Sequence, residues 1–437
     1  MPDVDLSSIA AQVLWAAFAL SVAFGAIAQR THFCTMGAVA DIVNMGDWTR
    51  MRMWVMAIGV AIIGFNAMVG LGWVDASKTV YGGPRLMWLS ALVGGFLFGF
   101  GMVLGSGCGS KTLIRIGGGN LKSLVVFLVL GLSAYATLRG ITGVLRVNTV
   151  DRASAMLPVA QDLPTLLNAA TGWSKATLAW VLGLGLGGAC LAWALATPDG
   201  RAGNTVLGGL GIGAVIVGVW WVSGVLGYVP EDPDTLEEAF LATNSRRMES
   251  LSFVGPVSYT IDWLLYFSDT SRVLTVGIVS VFGVVVGSAL HAMATRSFRW
   301  EGFRDVEDMA NHLIGGVLMG VGGVTALGCT IGQGLSGIST LNLSSFLALA
   351  AILAGRRRGA EVPGLAHGAA ALKRRWTRTT PSPGRPTRSA ASAGCAGCTG
   401  APATSGCARR ASRWSAWGGS APGRPRRWRA AVSPSWC

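Results

Sequence analysis

Three cysteines stand out by the residues around them. Cys34 lies in Arg30-Thr-His-Phe33-Cys34-Thr-Met-Gly37, Cys108 in Ser106-Gly107-Cys108-Gly109-Ser110-Lys111, and Cys329 in Leu327-Gly328-Cys329-Thr330-Ile331-Gly332-Gln333-Gly334. Each ends a long apolar run and sits beside glycines and small hydroxyl residues. A fourth, Cys190, has only apolar neighbours and reads as a packing residue. Three thiols without a nearby His pair or carboxylate make a poor closed metal site, so no metal and no cofactor is expected. The plain alternative, three buried thiols that pack helices, stays open at this point.

Two of the cysteines close an internal repeat. The stretch from Gly94-Gly95 to Gly107-Cys108 aligns without gaps on Gly315-Gly316 to Gly328-Cys329, at an offset of 221 residues. Leu97/Leu318, Gly99/Gly320, Gly101/Gly322 and Val103/Val324 are identical within it. One residue of slip later, Asn120-Leu121 meets Asn342-Leu343. A weaker echo sets Arg30–Gly37 beside Arg296–Gly302. Repetition of this kind suggests a transporter built from two pseudo-symmetric halves, at about 8–145 and 273–355, with the site near the midplane at broken helices. Each Gly-Cys is followed by a glycine-bearing polar stretch, as a re-entrant loop leading into a short half-helix would be written. Ser252–Phe267 reads as a further short or re-entrant helix.

The elements that must position these thiols are membrane helices. Of 437 residues, 51% are hydrophobic and only 13% charged, which argues against a soluble globular chain. The net charge of +14 is uneven: residues 356–437 hold 16 of the 35 Lys+Arg against one acidic residue, Glu361. The body, residues 1–355, is therefore almost neutral, and nucleic-acid binding is not expected of it. Apolar runs near 8–28, 53–74, 87–107, 121–145, 176–196, 203–227, 273–294 and 311–329 are long enough to cross a bilayer. A ninth, Leu343–Gly355, is cut short at Arg356. The expected fold is an all-α integral membrane protein with about nine transmembrane helices and short re-entrant helices. No cleavable signal peptide is read at the start. The tail 356–437 reads as basic, low-complexity and disordered, and resembles GC-rich DNA translated out of frame.

The stretch from Arg30 through Phe33-Cys34, Gly37 and Asp41, then Gly94–Cys108, then Gly315–Gly334, resembles the YeeE/YedE family of sulfur-compound membrane transporters. The resemblance spans most of residues 8–355. It implies a multi-pass protein of the bacterial inner membrane that takes up thiosulfate and is not an enzyme. It also implies three cysteines, matching Cys34, Cys108 and Cys329, along a narrow central path, and a small cytoplasmic sulfur-carrier protein as partner. Members tend to carry Gly-Gly-Cys at the second and third motifs, where this chain has Ser106 and Leu327 as the first residue.

The expected substrate-binding set is Cys34, Cys108 and Cys329 with Gly107 and Gly328, and with Gln333 and Asn120 as amides lining the path. A charge at the membrane centre costs about 2.5–3.5 kcal/mol. Thiols and half-helix N-termini are therefore expected to attract the anion in place of fixed cations. Lys111 and Arg115 read equally well as anion attractors at the mouth or as ordinary loop charge. A carrier of a selenium or other sulfur compound, and a membrane sulfurtransferase bearing persulfide, remain alternatives.

Overall fold

A computed structural model describes residues 6–232, 236–303 and 305–361. Its helices in chain order are α1 (Leu6–Thr31), α2 (Thr35–Met45), α3 (Thr49–Gly70), α4 (Trp88–Leu104), α5 (Gly109–Gly117), α6 (Leu121–Arg139), α7 (Ile141–Asn148) and α8 (Leu163–Thr171). They continue with α9 (Lys175–Leu195), α10 (Pro198–Arg201), α11 (Gly203–Trp221), α12 (Val254–Leu265), α13 (Val276–Ala294), α14 (Val306–Thr325) and α15 (Leu343–Glu361). The only strands among the described residues are two short antiparallel ribbons, β1 (Arg85–Leu86) with β2 (Ala155–Met156) and β3 (Tyr228–Val229) with β4 (Ala239–Phe240).

Seven segments are long and apolar enough to cross a bilayer: Leu6–Met45, Thr49–Gly70, Trp88–Gly117, Leu121–Arg139, Lys175–Leu195, Gly203–Leu226 and Val276–Ala294. The 20-residue α14 and 19-residue α15 are equally long but carry Glu307 and Asp308, or Arg356 to Arg358, at one end. Exposed apolar residues recur at helical spacing on the outer faces, as in Leu124, Leu128 and Leu132 of α6 or Phe282, Val286 and Leu290 of α13. Those faces suit lipid. The chain is an all-α, multi-pass membrane protein.

Three expectations need correction. The run 121–145 is not one span: the backbone turns to an extended conformation at Gly140, and α7 leaves with Ile141, Val144 and Leu145 exposed. The last helix does not stop at Arg356, which is buried, but continues to Glu361. The rest of the basic tail lies outside the described residues. Finally, Arg296–Gly302 does not form a second Cys34-like motif. Arg296 does end α13 in a left-handed conformation, but Arg299 to Glu301 then pair with the chain at Gly118–Leu121 and no half-helix follows.

The repeat has a packing cause. A Cβ on Gly94 would lie 2.7 Å from the Gly322 carbonyl, and one on Gly315 would lie 2.8 Å from the Gly101 carbonyl. These four residues are two repeat pairs meeting crosswise, so α4 and α14 touch backbone to backbone where a side chain would not fit. The next layer is exchanged in the same way. Gly99 faces the Ile352 carbonyl of α15 at 2.0 Å from its would-be Cβ, and its mate Gly320 faces Leu130 of α6 at 2.5 Å. Likewise α1 packs on α13 while α3 packs on α11. The contacts of α4 and α14 thus come in pairs with the partners swapped.

The half-helices point in opposite directions. α3 starts where Arg50 pairs with Asp41 of α2 and runs 22 residues, about 33 Å. His32 and His291, at the ends of α1 and α13, share the Arg50 end. α5 also finishes there, with the Arg299 N–H donating to the Gly118 carbonyl at 3.1 Å. The segment after Cys329 finishes at the other end, where Asn342 donates to the Tyr81 carbonyl in the loop that follows α3.

Candidate functional site

The site is built from helix ends. α1, α4 and α14 all stop in one geometry: His32, Ser106 and Leu327 adopt φ of 53°, 52° and 58°. The next N–H then closes back on a carbonyl five residues earlier, Phe33 to Ala28 (3.1 Å), Gly107 to Met102 (3.0 Å) and Gly328 to Gly323 (2.8 Å). This Schellman closure satisfies the helix C-terminus and redirects the chain, leaving the following cysteine free of the old helix. Glycine takes the left-handed conformation without penalty, whereas Ser106 and Leu327 cost about 1–2 kcal/mol each. The Gly-Gly-Cys spelling expected at these motifs has its physical reason here.

Each cysteine then heads a new segment. Cys34 caps α2 and its sulfur accepts the Gly37 N–H at 3.3 Å. Cys108 caps α5 with its sulfur 3.2 Å from the Ser110 hydroxyl. Cys329 leads into a wide, π-wound turn, Gly332–Gly337, and its sulfur accepts the Gly332 N–H at 3.5 Å. All three cysteines are buried and free.

Phe253 was not legible as part of this arrangement. It caps α12, the fourth short helix, and occupies the place that a cysteine holds in the other three. Its side chain is fully buried, its ring lies 5.6 Å from that of Phe24, and its Cβ is 3.5 Å from where Gly109 would carry one. Phe253 therefore packs against the head of α5. Cys108 and Cys329 belong to one buried core, while Cys34 lies toward the end where α3 begins.

The remaining expected residues divide. Gly107 and Gly328 are small because something covers them: the Lys111 stem lies 3.2 Å from a Cβ on Gly107, and the Gln333 side chain lies 3.2 Å from one on Gly328. Gln333 is buried and donates to the Ala326 carbonyl at 2.5 Å, bracing the turn, while its Oε1 has no partner. Arg115 does the same for the other turn, donating to the Ser106 carbonyl at 2.9 Å. Asn120 stands apart. It caps α6, accepting the Ser123 N–H and donating to Glu301 at 2.7 Å, at the far end of α5 from Cys108. Its repeat mate Asn342 caps the start of α15 in the same manner, bonding Ser344.

Several buried donors beside the cysteines lack partners: the hydroxyls of Thr35 and Thr330, each next to a cysteine, and the indole N–H of Trp54, whose ring packs on Gly334. A buried donor without an acceptor costs about 1–3 kcal/mol, which an acceptor-rich ion would recover. Among the described residues no group of three or more His, Cys, Asp or Glu side chains could hold a metal. Fixed charge is nevertheless present, against expectation. Lys111 and Arg356 are 6% and 5% exposed, and Arg356 falls at the first position of what reads as tail.

A family model described as sulphur transport matches residues 30–357. A thiosulfate transporter, TsuA, of Spirochaeta thermophila is 26% identical over 340 residues, covering 77% of this chain and 94% of its own length. TsuA of Escherichia coli is 26% identical over 341 residues, covering 76% and 89%. A probable transporter, YedE, of Salmonella typhimurium is 32% identical over a shorter stretch of 99 residues, 23% of each chain. With the match running from just before Cys34 to beyond Cys329, this chain belongs to the sulphur transport (YeeE/YedE) family.

Proposed function

We propose that the chain carries thiosulfate across the bacterial inner membrane, with Cys34, Cys108 and Cys329 as successive non-covalent contacts. The family is one of transporters of sulfur compounds, and the two long relatives are named thiosulfate transporters. The observation that carries the finer reading is the buried pair of thiols, each heading a half-helix, with the two half-helices leaving in opposite directions. Such heads present N–H groups and a positive dipole end to an anion without committing a full charge. The thiols suit the soft terminal sulfur of thiosulfate, and Thr35, Thr330 and Trp54 offer unsatisfied donors to its sulfonate oxygens. A small cytoplasmic sulfur-carrier protein is the acceptor in this reading.

The anion moves intact. A neutral thiol that only donates a hydrogen bond leaves both thiosulfate sulfurs joined, and no bond is made or broken. The test is uptake of labelled thiosulfate into proteoliposomes holding the full chain. Cys34→Ala, Cys108→Ala and Cys329→Ala each bring uptake to the level of empty liposomes, and Cys190→Ala leaves it unchanged. Wild-type uptake in the first three variants would overturn the assignment.

A further inference from the structure

The three cysteine motifs part at the third residue after the thiol. After Cys34 it is Gly37, and the Arg50 guanidinium covers it, with Nη1 2.6 Å from where a Cβ would be. After Cys108 it is Lys111. After Cys329 it is Gly332, whose N–H binds the cysteine sulfur as the Gly37 N–H binds that of Cys34. A Cβ on Gly332 would lie 2.6 Å from the Ser252 hydroxyl oxygen and 3.3 Å from that of Tyr81. Two motifs thus have a cationic side chain at this position, and the third has a pair of neutral hydroxyls.

Loops bring both hydroxyls, and both loops are tied to the Cys329 segment. Tyr81 follows α3. Its carbonyl accepts from Asn342, and its ring meets that of Trp220 edge-on, with centroids 6.4 Å apart. Trp220 in turn donates to the Ser339 hydroxyl at 3.1 Å. Ser252 follows Leu251, whose carbonyl accepts the Ser336 hydroxyl at 2.7 Å. The loops also pair with each other, the Val80 N–H donating to the Met248 carbonyl at 3.0 Å. Tyr81 is 4% exposed, yet neither its hydroxyl nor that of Ser252 has a hydrogen-bond partner among the described residues. Glu249, three residues before Ser252, has its carboxylate on the Ser245 N–H at 2.8 Å.

We propose that Tyr81 is a substrate contact at Cys329, with Ser252 as a second donor. The two hydroxyls bind sulfonate oxygens of thiosulfate while its terminal sulfur lies at the Cys329 thiol. A buried phenol without an acceptor is costly, and an anion oxygen supplies the acceptor. The phenol donates without carrying a charge at neutral pH, so the ion is held here without the cations that stand at the other two motifs. Because the donors come from loops outside the glycine repeat, the contact belongs to the Cys329 side of the path alone.

The proposal rests on the thiosulfate reading, and the experiment separates the two. Initial rates of labelled thiosulfate uptake are measured in proteoliposomes for the full chain, Tyr81→Phe, Ser252→Ala and Tyr228→Phe. Tyr81→Phe removes one oxygen and keeps both the ring on Trp220 and the carbonyl that Asn342 binds, so the fold is not at stake. It raises KM at least about tenfold, the worth of a hydrogen bond to a charged group, with a smaller change in kcat. Ser252→Ala raises KM at least about threefold. Tyr228→Phe, at a phenol that meets Glu238 in the β3 ribbon, stays within about twofold of wild type. Unchanged KM in Tyr81→Phe, or an equal rise in Tyr228→Phe, overturns the contact while leaving transport intact. Unchanged KM in Ser252→Ala removes the second donor. If the wild type takes up no thiosulfate, the transport reading fails, and calorimetric titration of the purified full chain with sodium thiosulfate decides the contact. Affinity at least about tenfold weaker in Tyr81→Phe supports it; equal affinity, or no binding to the wild type, overturns it.

Discussion

The half-helix after Cys108 and the segment after Cys329 leave the same left-handed turn, yet they are wound and composed differently. After Cys108 the chain forms a regular nine-residue helix that carries Lys111 and Arg115. After Cys329 it forms a wide turn with glycines at 332, 334 and 337, lined by Thr330, Gln333, Ser336, Ser339, Thr340 and Asn342, all buried and none charged. Both turns are braced by a side chain reaching back to a carbonyl, Arg115 in one and Gln333 in the other. The backbone contacts obey the crosswise exchange, and the charges do not. What the difference teaches is that the architecture supplies two equivalent anchoring points, while composition makes one turn neutral and the other cationic.

That comparison can be broken most severely at Gln333. Gln333→Arg would give the Cys329 turn the cation that the Cys108 turn has. A fixed charge beside the thiol binds the anion more tightly in the ground state, so KM falls while kcat drops about tenfold or more. Unchanged KM and kcat would show that neutrality at this turn is unimportant.

The glycine layers come next. Gly99→Ala and Gly320→Ala each force a Cβ against a carbonyl, of Ile352 and of Leu130. Overpacking of this kind costs about 1–3 kcal/mol, and Gly99→Ala should lose at least as much as its mate because its approach is closer. Thermal unfolding in detergent measures both; a stable Gly99→Ala protein would contradict the crosswise packing.

About half of this was legible in residue order. The long helices followed from apolar runs, and the glycine repeat marked the helices leading into both turns because α4 and α14 meet backbone to backbone there. Ser252–Phe267 was legible as a short helix, but its kinship with the cysteine segments was hidden, since Phe253 replaces the thiol that would have marked it. Asn120 reads as a path amide in the sequence, and its repetition at Asn342 has another cause, since both residues cap helices. Arg356 was read as the first residue of a foreign tail, and only the packing of α15 against α4 shows that it is buried. The burial of a single charge has no period in sequence, so the enclosure of Lys111 and Arg356 could not be read from spacing.

Smaller effects sharpen the comparison of the two turns. Leu327→Gly and Ser106→Gly relieve left-handed strain and should each stabilise the protein by about 1 kcal/mol, with the larger gain at the bulkier Leu327. Loss of stability in both would mean that the side chains, rather than the turns, are under selection by the fold. Smallest of all is Arg115→Gln. An amide braces the equivalent turn at Gln333, so uptake should stay within about threefold of wild type. A collapse of uptake would place Arg115 in the path itself.

The claim that the anion passes intact over thiols is tested most directly by its two sulfur atoms. Thiosulfate carrying one isotope in its terminal sulfur and another in its sulfonate is presented to proteoliposomes of the full chain. Intact transport delivers the two labels in equal amounts at every time point. Arrival of the terminal sulfur without the sulfonate would contradict it and make the cysteines persulfide carriers.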